Sequence, residues 1–150
     1  MKKRISIEGE AMAALNTIVG SASFTNRTEA RKVHAVAQWL LQPMKEYTAA
    51  IEGIQDEHAE EVTEGEAPNQ KKKMIVPDEK VKEYTAAIEA AKTKKYNVVF
   101  DIESFAFCNG LVDRVFERPE ITKQNGLAGT DQARNIEQIS AAFEGAVDEG

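Results

Sequence analysis

Val33, Ala37, Leu40, Met44, Tyr47, Ile51, Ile54 and His58 are spaced alternately four and three residues apart. A period of about 3.5 puts them on one helical face and marks the seam of close helix-on-helix packing. Pro43 falls inside the seam, where a proline removes one main-chain hydrogen bond and crowds the preceding turn. Because the seam keeps its phase, the pattern predicts one long helix kinked near residues 39–43, with a true break as the rival. Asn26 and Glu29 stand at its start like a capping box. A second seam, Val81, Tyr84, Ile88, Ala91 and Lys95, follows Pro77-Asp78-Glu79, residues suited to a helix's first turn.

Shorter elements flank these helices. Lys3 to Ile7 alternates polar with apolar residues and predicts a strand. Met12, Leu15, Ile18 and Val19 recur at helical spacing, and Gly20 suits a left-handed C-cap. Tyr96 to Ile102 is β-branched and aromatic, which predicts a strand with Val98, Phe100 and Ile102 on one face. Its backbone needs a partner, and Ile5–Ile7 supplies one. Ser104 to Phe116 has two readings. Phe105, Cys108, Val112 and Val115 fit a helix, the preferred reading, while Asn109-Gly110 is a hairpin signal. Pro119 to Thr130 reads as loop, and Thr130 or Asp131 can cap a last helix with Ala133, Ile136, Ile139 and Phe143 inward. Glu144 to Gly150 is expected to fray.

Lys45-Glu46-Tyr47-Thr48-Ala49-Ala50-Ile51-Glu52 recurs letter for letter as Lys82 to Glu89. Two copies are too few for a solenoid, so a helical hairpin with approximate two-fold symmetry is the better reading. If facing residue numbers add to 135, Tyr47 meets Ile88, Ile51 meets Tyr84, Met44 meets Ala91, Ile54 meets Val81 and Leu40 meets Lys95. A slip of one heptad, to 142, is the rival register. The expected architecture is mainly α: one domain over 1–150, an antiparallel helical hairpin with flanking helices and a small two-stranded β ribbon. Leu40, Met44, Tyr47, Ile51, Ile54, Val81, Tyr84, Ile88 and Ala91 form the hairpin core, and a linker spans about 62–76.

Composition narrows the function more than the fold. The chain has 150 residues, a formal charge of −6 and 42% hydrophobic residues, which suits one folded domain. The acidic balance disfavours nonspecific nucleic-acid binding. Lys71-Lys72-Lys73 is the best local exception and reads as a solvated loop. Seven acids lie in Glu52 to Glu66 without a Lys or Arg, and like charges four apart weaken a helix end. Ile5-Ser6-Ile7-Glu8 after the basic start is no apolar h-region, so no signal peptide is expected, nor is a membrane span.

Candidate chemistry is sparse. His58 has only Glu61 at i+3 to share its face, and His34 reads as a core-edge residue, so no metal site is expected. Cys108 has no base close in sequence and reads as a buried apolar residue in a reducing compartment. Gly126 to Thr130 lacks the lysine and spacing of a phosphate loop. No catalytic set can be assembled, and no cofactor is expected. Arg27, Arg31 and Lys32 at a helix start form the one candidate anion or partner contact. Trp39, beside the seam, is the candidate oligomer interface.

The order of these pieces resembles a family of small uncharacterised proteins of siphovirus-type tailed phages and prophages. The residues that carry the likeness are the short strand, the helix near Leu15-Asn16 and the basic helix start Arg27 to Lys32. The charged hairpin, Val99-Phe100-Asp101-Ile102-Glu103, the run Gly129 to Ala133 and the closing Phe143-Glu144 complete it. The resemblance implies a viral protein made in the host bacterial cytoplasm and carries over no catalytic residue. Two functions follow as expectations. One is a non-enzymatic interaction module in virion assembly or structure, homo-oligomeric, with a phage or host protein partner. The alternative is an inhibitor or sponge that binds a host defence protein or its nucleotide signal.

Overall fold

The computed structural model describes residues 1–65, 68–115 and 130–149. Strand β1 (Lys2–Glu8) buries Ile5 and Ile7 and turns Lys2, Arg4 and Ser6 outward, the two-residue alternation of a half-buried strand. Helix α1 (Gly9–Gly20) follows directly, then α2 (Arg27–His58). A ribbon, β2 (Glu60–Glu64) and β3 (Lys71–Ile75), leads to α3 (Asp78–Thr93) and β4 (Lys95–Asp101). Helices α4 (Ile102–Val115) and α5 (Thr130–Glu144) and strand β5 (Val147–Glu149) complete the order. The fold is mainly α, as expected.

The main sheet has three strands rather than two, in the order β4-β1-β5, all antiparallel. Ile5 sits opposite Val98 and Ile7 opposite Tyr96, so one face of the pair is apolar. The C-terminal residues do not fray. Val147–Glu149 pairs with β1, and Lys3 Nζ lies 2.7 Å from Asp148 Oδ1. Pairing with β4 left the other edge of β1 open, and the chain end closes it. Met12, Leu15 and Ile18 of α1, Leu40 of α2, Cys108 and Leu111 of α4 and Ile139 of α5 pack on the sheet's inner face as one core.

Helix α4 settles the ambiguous segment. It runs unbroken through Asn109-Gly110, because Cys108, Leu111 and Val112 recur at helical spacing and are all buried. Strand β4 stops one residue earlier than expected: Ile102 opens α4 and is 43% exposed instead of joining Val98 and Phe100. The stop is chemical. Asp101 Oδ1 accepts a 2.7 Å hydrogen bond from the Ser104 N–H, an N-cap bond. That bond holds the Asp101 carboxyl below its ordinary 3.8. The cap therefore stabilises the fold above the ordinary carboxylate pKa and is lost as pH falls through the lower folded value. Asp101→Ala is expected to cost about 0.5–2 kcal/mol at neutral pH. In urea titrations the deficit should vanish in acid, and a deficit independent of pH would refute the cap's role.

Gly20 ends α1 without a left-handed φ, since Gly65 alone has a positive φ among the described residues. Asn26 caps α2 as expected, its Oδ1 accepting from the Glu29 N–H at 2.9 Å. On α5, Ile139 and Phe143 are buried, but Ala133 is exposed. Phe116, the loop at 119–129, the glycine-rich run and the expected caps Thr130 and Asp131 lie outside the described residues and side chains.

Helix α2 continues through Pro43, so the chain does not break there. It packs beside α3, but in the slipped register. The His58 and Tyr84 rings lie 6.0 Å apart, Tyr47 meets Tyr96 edge-on at 5.9 Å, and Lys80 pairs with Glu60 at 3.3 Å. The first of these joins α2 to α3, and its numbers add to 142, the rival register, not 135. Tyr96 belongs to β4 and Glu60 to β2, so the other two contacts tie the hairpin to its neighbours. Gly9 fixes the seat of Tyr47. A Cβ there would lie 2.5 Å from the Tyr47 ring, so the missing side chain makes the niche that seats it.

Only the base of the hairpin is buried. Leu40 and Ala91 are in the interior, while Met44, Tyr47, Ile51, Ile54, Tyr84 and Ile88 are half-buried. Val81, expected in the seam core, is 44% exposed. From Leu41 through Ala90 no described residue is fully buried. Two helices share one seam, and among the described residues no third layer covers their other faces away from the body. Residues 41–90 thus form an arm on a compact body. The lysine triplet, expected in a loop, is strand β3. Lys72 and Lys73 lie 3.4 and 3.9 Å from Glu61 and Glu64, so acids and lysines neutralise each other across the ribbon.

Candidate interaction surface

Cys108 and His58 are committed to structure. Cys108 is fully buried, and burial pushes its thiol up to about 12. A thiolate is the reactive form, so Cys108 is expected to resist alkylation in the native protein and to react only on unfolding. Rapid labelling of the folded chain, read by mass, would contradict that burial. His58 places Nδ1 2.8 Å from the Ile54 carbonyl oxygen and its ring against Tyr84. His34 is exposed, not a core-edge residue. Among the described residues no three His, Cys, Asp or Glu side chains gather as metal ligands. Nor is any described helix long and apolar enough to cross a membrane.

The basic helix start is built differently from an empty anion site. Glu29 folds back over the first turn of α2, and its Oε2 accepts from the Thr25 N–H at 3.0 Å. Its Oε1 lies 3.2 Å from Arg114 Nη2. The Thr25 bond first, and Arg114 after it, hold the Glu29 carboxyl below its ordinary range. An internal carboxylate thus occupies the place where a bound anion would favour the helix dipole. Lys32 and Arg114 flank the Phe107 ring at 5.8 and 5.7 Å. Arg27 and Arg31 remain exposed, with no ion-pair partner among the described residues. Trp39 is half-buried against the core, with Lys2 Nζ 5.5 Å from its ring, and is no open patch.

On the body Met1, Phe24, Ile102 and Val147 are exposed, and along the arm Leu41, Met74, Ile75 and Val81. At its tip a groove of about 330 Å³ runs between the end of α2, β3 and α3, lined by Ala59, Met74, Ile75, Val76 and Tyr84. A second, shallow groove of about 340 Å³ follows the outer face of α2 beside Leu41, Met44 and Ala49. The repeated octapeptides have the same burial pattern position by position, each turning its Tyr and Ile to the seam and its Lys, Thr, first Ala and last Glu outward. Sequence reasoning missed Leu41, Met74 and Ile75. Met74-Ile75, two apolar residues after three lysines, was the available signal.

No family model, curated protein or solved structure matches the chain.

Proposed function

We propose that this chain is a non-enzymatic protein-interaction module, made in a bacterial host, that serves the assembly or structure of a tailed-phage particle. The docking element is the arm. One observation carries this reading: a long segment with no fully buried side chain ends in an apolar groove. Exposed apolar patches of that kind mark contact surfaces. The resemblance of the motif order to tailed-phage proteins suggests the setting.

The test is affinity capture from cells assembling the particle, followed by mass spectrometry of purified virions. A phage structural protein is expected to co-purify with the parent chain and to be lost with Met74→Asp/Ile75→Asp. Capture that survives this substitution would refute docking by the arm tip. The unpaired Arg27 and Arg31 support the inhibitor reading instead, and a host protein released by Arg27→Glu/Arg31→Glu would replace the assembly role with that one.

A further inference from the structure

We propose that two copies of this chain associate through the outer face of α2, antiparallel about a two-fold axis passing between Thr48 and Ala49. This rests on the interaction reading only in treating the arm as a binding surface, and it names the partner as a second copy. Lys45, Thr48, Ala49 and Glu52 are exposed at spacings that place them on one helical stripe. Read backwards, the stripe is its own complement. Antiparallel pairing about that axis sets Lys45 against the partner's Glu52 and Thr48 against the partner's Ala49.

Two features of α2 favour this occupant. First, Lys45 and Glu52 have no ion pair among the described residues. They stand seven residues, about 10 Å, apart along the axis, too far to neutralise each other. Second, the small residues at the centre let helix axes approach to about 8 Å. The groove beside Leu41 and Met44 continues the same face.

The identical stripe on α3 is an internal control. There Glu89 is already held by Lys92 at 3.8 Å, so the acid that Glu52 leaves free on α2 is engaged on α3. A contact that meets itself about a two-fold axis closes at two copies, so the expected product is a dimer and not a fibre.

Light scattering and sedimentation of the full chain over a range of concentrations test this. The parent is expected to show a concentration-dependent dimer. Glu52→Lys, reversing two pairs per dimer, should weaken it roughly tenfold or more. The swap Lys45→Glu/Glu52→Lys should restore it, and Glu89→Lys should leave it unchanged. Ala49→Cys, close to the axis, should form an intermolecular disulfide, since Cys108 is buried. A parent that stays monomeric throughout would overturn the proposal, as would a dimer indifferent to Glu52→Lys or equally weakened by Glu89→Lys. The tip substitutions Met74→Asp/Ile75→Asp leave this face intact, so failure of the dimer and failure of tip docking are read separately.

Discussion

Phe100→Ala is expected to lower the unfolding free energy by about 3–5 kcal/mol, a large share of the roughly 5–15 kcal/mol that holds a domain folded. Phe100 is completely buried at the end of β4. Its ring stacks on Phe143 of α5 at 6.2 Å, and Phe143 meets Phe105 of α4 at 5.2 Å. Phe100 therefore ties the sheet to α5 through Phe143, which in turn meets α4. Removing it opens a cavity that the paired strands cannot close, because β4 is held residue for residue to β1. Urea unfolding followed by the fluorescence of Trp39, the single tryptophan, reads the loss. The midpoint should fall with the slope unchanged. A loss below about 1 kcal/mol would mean that the aromatic cluster is not the keystone of the body.

Gly9→Ala is the second large effect, about 1–3 kcal/mol by overpacking. The new methyl would lie 2.5 Å from Tyr47 Cε1 and 3.0 Å from the Ala91 carbonyl oxygen, in the joint between body and arm. The Gly9 N–H also donates a 2.9 Å hydrogen bond to the Lys94 carbonyl, so the backbone there cannot retreat freely. Tyr47 must leave its niche and its edge contact with Tyr96. The diagnostic result is non-additivity. In a Tyr47→Ala background most of the clash is gone, and Gly9→Ala should cost far less than in the parent. Equal costs in the two backgrounds would show that Tyr47 does not occupy the niche.

These two sites explain why some of the fold was legible and some was not. Both long helices could be read from their seams, since apolar residues three and four apart need no tertiary information. The register could not. A 3.5-residue repeat looks the same after a slip of one heptad, and the seat that Gly9 leaves for Tyr47 comes from far away in sequence. Strand β5 was hidden because three residues carry no period. The ribbon was hidden because glutamates and lysines are poor strand formers singly and gain only by facing each other. The candidate surface was half legible. The octapeptide pointed to its inward Tyr and Ile, whereas the outward Lys45, Thr48, Ala49 and Glu52 became visible only once their exposure was known.

Native-state hydrogen exchange of the whole chain, measured at low and high protein concentration, tests the division into body and arm most directly. At low concentration the amides of β1, β4 and α1 should exchange only through global unfolding. Those of the arm from about Gln55 to Lys80 should exchange by easier local opening. At high concentration protection should rise along the Leu41–Asp56 face of α2 and nowhere else on the arm. Equal protection of arm and body at every concentration would contradict the account.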